Sequence, residues 1–156
     1  MKILLMRHAQ AVAEGPGLSD EHRHLSDKGR QTARRVGAAL SAQGLSIEAI
    51  YTSPLVRAVQ TAELFAQATL FAGEVAVLFG LAPGFPPQVL AERVSRLENV
   101  IVLIGHEPGI SALGACLLGR PSFPPFRPGQ VSLIADGEPL WTLEPETLAL
   151  NRLLVA

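Results

Sequence analysis

The chain has one cysteine, one tryptophan, one tyrosine and two methionines in 156 residues, and aromatics make up only 5% of it. A single cysteine excludes a disulfide framework within the chain. That residue, Cys116, lies in the apolar stretch "ISALGACLLG", which suits a small buried hydrophobe rather than an activated thiol. No segment reaches the ~20 apolar residues of a membrane span. The apolar stretch from Ile3 to Met6 is too short for the apolar region of a secretory signal, so a cytoplasmic location is expected. Neither sign of charge dominates: 13 Lys and Arg against 14 Asp and Glu leave a formal net charge of -1, with a pI near 6.4. No global positive field points to nucleic acid or to an anionic membrane. Any anion site has to be local.

The chain does hold enough apolar material for a substantial core, 48% of its residues, and its length predicts one domain over residues 1–156. Short apolar runs alternate with helix-period segments, the pattern of an α/β fold with a largely parallel sheet. Ile3 to Met6 is the first strand, apolar at successive positions and so covered on both faces. Residues 9–25 form a polar loop whose length suggests function or mobility. Ser26 is placed to cap a helix in which Ala33, Val36, Gly37 and Leu40 share a face, with Gly44 to end it. Residues 47–52 read as a second strand. Ser53 and Pro54 then signal the start of a helix running to about Ala68. Val75 to Leu78 predicts a third strand, residues 88–97 a helix, and "NVIVLIGH" the clearest buried strand. A helix carrying Ile110, Leu113 and Leu117 follows Pro108 and Gly109. "RPSFPPFRPG" is too rich in proline for regular structure, "VSLIADGEPLWTLEP" predicts a hairpin turning at Asp136 and Gly137, and "LNRLLV" is left to add a short strand or to pack on the core.

Arg7 and His8 stand where the first strand ends, and His106 stands where the "NVIVLIGH" strand ends. Arg57 falls in the first turn of the helix after residues 47–52. In open α/β sheets, ligands sit at the carboxyl ends of the strands, so these four residues are expected around one crevice, given that the second strand runs parallel to the others. Two arginines offer forked donors to phosphoryl oxygens, and a neutral imidazole is a competent nucleophile. Taken singly, each residue has a plainer reading: a solvated loop start for Arg7 and His8, a surface arginine for Arg57, a backbone-bonded histidine for His106.

Four segments in order resemble the histidine phosphatase superfamily and, within it, the small phosphohistidine phosphatases of the SixA type. They are "LLMRHAQA", "LSDKGRQTA", "YTSPLVRAVQTA" and "VLIGHEPG". The resemblance implies a phosphoglycerate mutase-like fold, a three-layer α/β/α sandwich. It implies a metal-independent phosphatase without cofactor, in which His8 accepts the phosphoryl group and Arg7, Arg57 and His106 form the phosphate pocket. It further implies a phosphorylated protein substrate, such as a histidine-containing phosphotransfer domain. Gln60 and Thr61 belong to the third motif, one turn beyond Arg57, where support of the site is expected. Ser53 either caps its helix or places its hydroxyl near the pocket.

The sequence departs from the family pattern in two places. Ala9 stands where glycine is commoner, which is expected to alter backbone freedom beside His8 and to narrow the pocket slightly. The stretch "FGLAPGFPPQV" lacks the glutamate that other branches use as a proton donor. Glu107 is the candidate in its place, with Glu14 or Asp20 able to swing in from the first loop; the plain alternative for Glu107 is an exposed carboxylate at a helix N-terminus. Without a strong acid an alkoxide leaves poorly while a phosphoramidate nitrogen leaves more easily, which favours an N-phosphorylated substrate. A small-molecule phosphomonoesterase and a noncatalytic phosphate-binding module remain the alternatives. A metal site from His22 and His24 with Asp20, Glu21 or His8 is also conceivable, but their spacing fits no tight ligand motif.

Overall fold

A computed structural model describes residues 1–156. Seven strands form one sheet: β1 (Lys2–Arg7), β2 (Ala49–Thr52), β3 (Val75–Val77), β4 (Val100–Gly105), β5 (Val131–Ala135), β6 (Glu138–Leu143) and β7 (Leu150–Arg152), in the spatial order β3-β2-β4-β1-β5-β6-β7. β3, β2, β4 and β1 run parallel; β5, β6 and β7 extend the sheet with antiparallel pairing. The helices are α1 (Asp27–Ser41), α2 (Val56–Ala68), α3 (Pro87–Val94) and α4 (Gly109–Leu118).

The side-chain alternation of β1 and β4 divides the core into two layers. Leu4, Met6, Val102 and Ile104 face one side, where they meet Val36 and Leu40 of α1 and Ala58, Ala62 and Phe65 of α2. Ile3, Leu5, Ile101 and Leu103 face the other, against Leu90 and Val94 of α3, Ile110 and Leu113 of α4, and Phe123 and Phe126. Both faces are covered, so the strands read as unbroken apolar runs, and the result is a three-layer α/β/α sandwich.

Local signals explain most boundaries. Ser26 caps α1, its Oγ accepting from the Gly29 amide at 3.1 Å. Gly29 is required there because a Cβ at this position would overlap the Gln10 carbonyl oxygen. The β5–β6 turn places Asp136 at φ 51° and Gly137 at φ 78°, two left-handed residues in succession that suit a tight hairpin.

Three boundaries differ from the sequence-based expectation. β2 begins at Ala49, and at its entrance the Glu48 amide donates to the Val100 carbonyl at 2.8 Å while the Glu48 carboxylate takes the Asn99 and Val100 amides at 2.7 and 3.1 Å. α3 stops at Val94, where Ser95 closes the helix and its hydroxyl turns back to the Glu92 carbonyl. Ser53 does not cap α2: the N-cap position is Leu55 and the helix starts at Val56. A residue before proline is held out of the helical region, and the Ser53 Oγ instead accepts from the Leu55 amide two residues on, at 3.2 Å. Residues 9–25 are a folded excursion rather than an open loop. A short 3-10 turn spans Asp20–His22, Ala11 bridges Leu25, and the Val12 amide donates to the His24 carbonyl at 2.9 Å.

Candidate functional site

Adjacent parallel strands bring the two histidines together. β1 lies beside β4 with Arg7 level with Gly105, so His8 and His106 leave the sheet at the same height. Their ring centroids are 5.0 Å apart at an interplanar angle of 51°. β2 flanks β4 on the other side with Thr52 level with Ile104, and the chain then passes through Ser53 into α2 and Arg57. His8, Arg57 and His106 are buried, each 7% exposed or less. All four expected residues thus gather at the carboxyl end of the parallel strands.

His8 is held by its own turn. Its Nδ1 lies 2.7 Å from the Ala9 carbonyl oxygen, which can only accept, so the neutral ring carries its proton on Nδ1 and leaves Nε2 with a free lone pair. Burial, aided by the positive charges of Arg57, Arg7 and Arg23, pulls the imidazole pKa down to about 4 against the raising effect of the Ala9 hydrogen bond. His8 is therefore neutral near pH 7. The Ala9 amide donates to Thr61 Oγ1 at 3.1 Å, and that hydroxyl donates to the Arg57 carbonyl at 2.7 Å. Thr61 ties the histidine turn to α2, and Gln60 adds a second tie by accepting from the Leu25 amide at 2.8 Å. The Ala9 methyl does not narrow the pocket: it is fully buried with Leu25 and Ala33, and its backbone needs no left-handed conformation.

The arginines are anchored at one edge of each guanidinium. Arg7 Nη1 donates to the Phe126 carbonyl at 2.8 Å. Arg57 Nη1 donates to the Asp20 carbonyl at 2.8 Å, and its Nη2 lies 3.3 Å from the Asp20 carboxylate. Arg7 has its pKa lowered by burial, opposed by Glu107 and reinforced by Arg23 and Arg57. His106 Nε2 is 2.7 Å from Ser53 Oγ, and burial, then the neighbouring His8 and Arg57, pull its pKa down to about 3. Three nitrogens of these residues are buried without a partner: Arg7 Nε, Arg57 Nε and His106 Nδ1. An unpaired buried donor costs about 1–3 kcal/mol. An oxyanion beside His8 is the chemical species that matches this set.

Glu107 and Asp20 are both engaged as acceptors. Glu107 Oε2 accepts from the Ser111 hydroxyl at 2.7 Å, and Oε1 accepts from the Phe126 amide at 3.0 Å. Since Phe126 in turn receives Arg7, the geometry makes Glu107 a buttress for the Arg7 anchor. Asp20 bridges Arg57 and Arg23, and the hydrogen bond from Arg23, with Arg57 beside it, holds its carboxyl below the usual range, a poor state for a proton donor. Glu14 is exposed on the loop. His22 bonds Ser19 Oγ at 2.7 Å and His24 is exposed. No group of three or more His, Cys, Asp or Glu side chains is arranged to hold a metal ion.

Two participants have no signal in the sequence. Arg23 joins the site through Asp20 and through its Nε donating to the Val12 carbonyl at 2.7 Å. The proline-rich segment after α4 supplies the Phe126 carbonyl, and the Gly129 amide donates to both the Arg7 and His8 carbonyls at 3.1 Å. The Phe126 and Gly129 contacts do not follow from spacing, because they join the Arg7-His8 turn to a loop that only the folded sheet brings near, whereas Arg23 reaches Arg57 only through Asp20 of its own segment.

Comparisons with known proteins bear on the family and the fold. Residues 3–78 match the family model of the histidine phosphatase superfamily, branch 1. An uncharacterized protein of Picosynechococcus sp. is 35% identical over 114 residues, 70% of this chain and 68% of that protein. The phosphohistidine phosphatase SixA of Escherichia coli is 25% identical over 161 aligned positions, 97% of this chain and 99% of SixA. A solved structure of the protein histidine phosphatase SixA complexed with tungstate superposes with a TM-score of 0.88 at 25% identity, covering 96% of this chain and all of that one. No helix here is long and apolar enough to cross a membrane. The family model, the SixA sequence match and the SixA superposition identify the chain as a phosphoglycerate mutase-like hydrolase that belongs to the histidine phosphatase superfamily.

Proposed function

We propose that this enzyme removes phosphoryl groups from phosphohistidine on a protein substrate, through a covalent intermediate on His8. One observation carries the reading: a neutral imidazole with Nδ1 bound to a carbonyl lies 5.0 Å from the His106 ring, and Arg7, Arg57 and His106 each keep a buried nitrogen without a partner. His8 Nε2 attacks phosphorus in line; the Nε2–P bond forms as the P–N bond to the leaving imidazole breaks, that nitrogen takes up a proton from solvent, and the later attack of water on the intermediate returns one proton to solvent. Water then attacks the phosphohistidine, the Nε2–P bond breaks, and inorganic phosphate departs. Arg7, Arg57 and His106 hold the equatorial oxygens, where charge spreads in the transition state.

The substrate class rests on the acid inventory and on the rim of the site. With Glu107 and Asp20 committed as acceptors, a leaving group that departs without a strong acid suits this pocket better than an alkoxide. Phe79, 72% exposed in the turn that follows β3, and Val56, next to Arg57 in sequence, are exposed apolar side chains of the kind a protein substrate would contact. The likeness to SixA points the same way. A histidine-containing phosphotransfer domain fits this description.

The test is phosphate release, in chelator, from a phosphohistidine protein and from an aryl phosphate ester side by side. Fast release from the first, slow release from the second and none by His8→Ala is the expected result. Preference for the ester would assign a small-molecule phosphomonoesterase instead. Phosphate binding without turnover would leave only a binding module.

A further inference from the structure

Ser53 is fully buried, and its hydroxyl meets two groups only. The Leu55 amide donates to Oγ at 3.2 Å. His106 Nε2 lies 2.7 Å away on the other side. A serine hydroxyl has one proton to donate. The Leu55 N–H cannot accept it, and no other acceptor is in reach. If Nε2 carried a proton and donated to Ser53, the hydroxyl proton would be stranded in the core at the full penalty of an unmade bond. The arrangement Leu55 N–H to Ser53 Oγ, with Ser53 O–H to an unprotonated His106 Nε2, leaves one buried group unpaired, the Nδ1–H, where the opposite tautomer leaves two, the hydroxyl proton and the Nδ1 lone pair. The imidazole proton then resides on Nδ1, the nitrogen that is buried and has no partner.

We infer that Ser53 is a positioning residue that locks His106 in the Nδ1–H tautomer, making it a neutral hydrogen-bond donor to the phosphoryl group rather than an imidazolium. This rests on the phosphatase reading above. A donor that is neutral by tautomer does not switch off as pH rises through the ordinary histidine range, so its contribution persists into mildly alkaline solution. In an unlocked ring the two neutral tautomers compete, and molecules protonated on Nε2 present a lone pair to the phosphate oxygens where a donor is needed.

The experiment is nitrogen-15 NMR of the imidazoles in the intact protein at pH 7, with kinetics of Ser53→Ala. In wild type, His106 should show a pyrrole-type Nδ1 and a pyridine-type Nε2. In Ser53→Ala, Nε2–H should become populated and kcat/KM should fall by up to about a hundredfold, the scale for losing one preorganised donor. An Nε2–H tautomer or an imidazolium signal in wild type overturns the inference without any variant having to fold. An unchanged tautomer and unchanged rate in Ser53→Ala overturn it as well. Because the spectrum does not depend on turnover, a failure here is distinct from a failure of the phosphatase reading, which shows as wild-type inactivity.

Discussion

Asp20 holds Arg57 twice, through its carbonyl at 2.8 Å and its carboxylate at 3.3 Å, and the same carboxylate reaches Arg23 at 3.0 Å. A loop anion thus neutralises part of the charge that a phosphoryl group would use. Asp20→Asn keeps the carbonyl contact and removes the competing charge. The carboxylate is half-exposed, where such pairs are worth about 0–1 kcal/mol. Inorganic phosphate should therefore bind up to about fivefold more tightly to the variant at low salt, measured by calorimetry, with the gain fading as salt rises. Weaker binding would mean that the carboxylate serves to orient Arg57 rather than to compete.

Arg57→Ala removes a buried forked donor from the pocket. A loss of about 3 kcal/mol of transition-state stabilisation, a hundredfold or more in kcat/KM, is expected. Arg57→Lys should recover little, since an ammonium cannot hold the Asp20 carbonyl and an oxyanion in one plane. Both variants should also raise hydrogen exchange in residues 9–25, which Arg57 pins.

Glu107 distinguishes a proton donor from a buttress. Glu107→Gln retains an oxygen acceptor for the Phe126 amide and so should keep activity on phosphohistidine within about threefold. Glu107→Ala leaves that amide unpaired and frees the anchor of Arg7, at a stability loss of about 1–3 kcal/mol. A collapse of kcat in Glu107→Gln, with disappearance of the alkaline limb of the pH profile, would make Glu107 the acid.

The two histidines make stability sensitive to acid. Their folded pKa values of about 4 and about 3 lie below the unfolded value near 6.5. Between those limits the unfolded chain binds more protons, so stability rises with pH across the window and falls on acidification below about 6.5, by up to about 1.4 kcal/mol per pH unit for each histidine. Thermal melts of wild type and His8→Asn from pH 7.5 to pH 4.5 check this. The slope should be shallower in the variant, and equal slopes would remove His8 from the account.

Gly29→Ala forces a methyl onto the Gln10 carbonyl, a backbone atom that cannot swing away. A loss of about 1–3 kcal/mol is expected in denaturant titrations, the range for overpacking. Because Gln10 lies two residues beyond His8, activity should decline along with stability.

The sandwich was legible because strands buried on both faces must be apolar at successive positions, as Ile3 to Met6 and Val100 to Ile104 are. The helices that cover them repeat every three or four residues. The Arg7, His8, Arg57 and His106 set was legible because strand ends followed by charged or titratable residues mark the rim of such a sheet. The sequence left Ser53 between a helix cap and a hydroxyl near the pocket, since a serine before a proline carries the same local signal in either case, and the contact with His106 decides for the second.

What the sequence determined by itself was periodicity and residue chemistry, both properties of neighbours along the chain. Which hydroxyl reaches His106 and which carbonyls anchor Arg7 and Arg57 were decided by the tertiary structure. Strand order inserts β4 between β1 and β2 and places β5 against β1. That order brings Ser53 to His106 and Phe126 to Arg7, partners 53 and 119 residues apart. A hydrogen bond depends on distances of a few tenths of an ångström between such partners, and no pattern of local spacing encodes that.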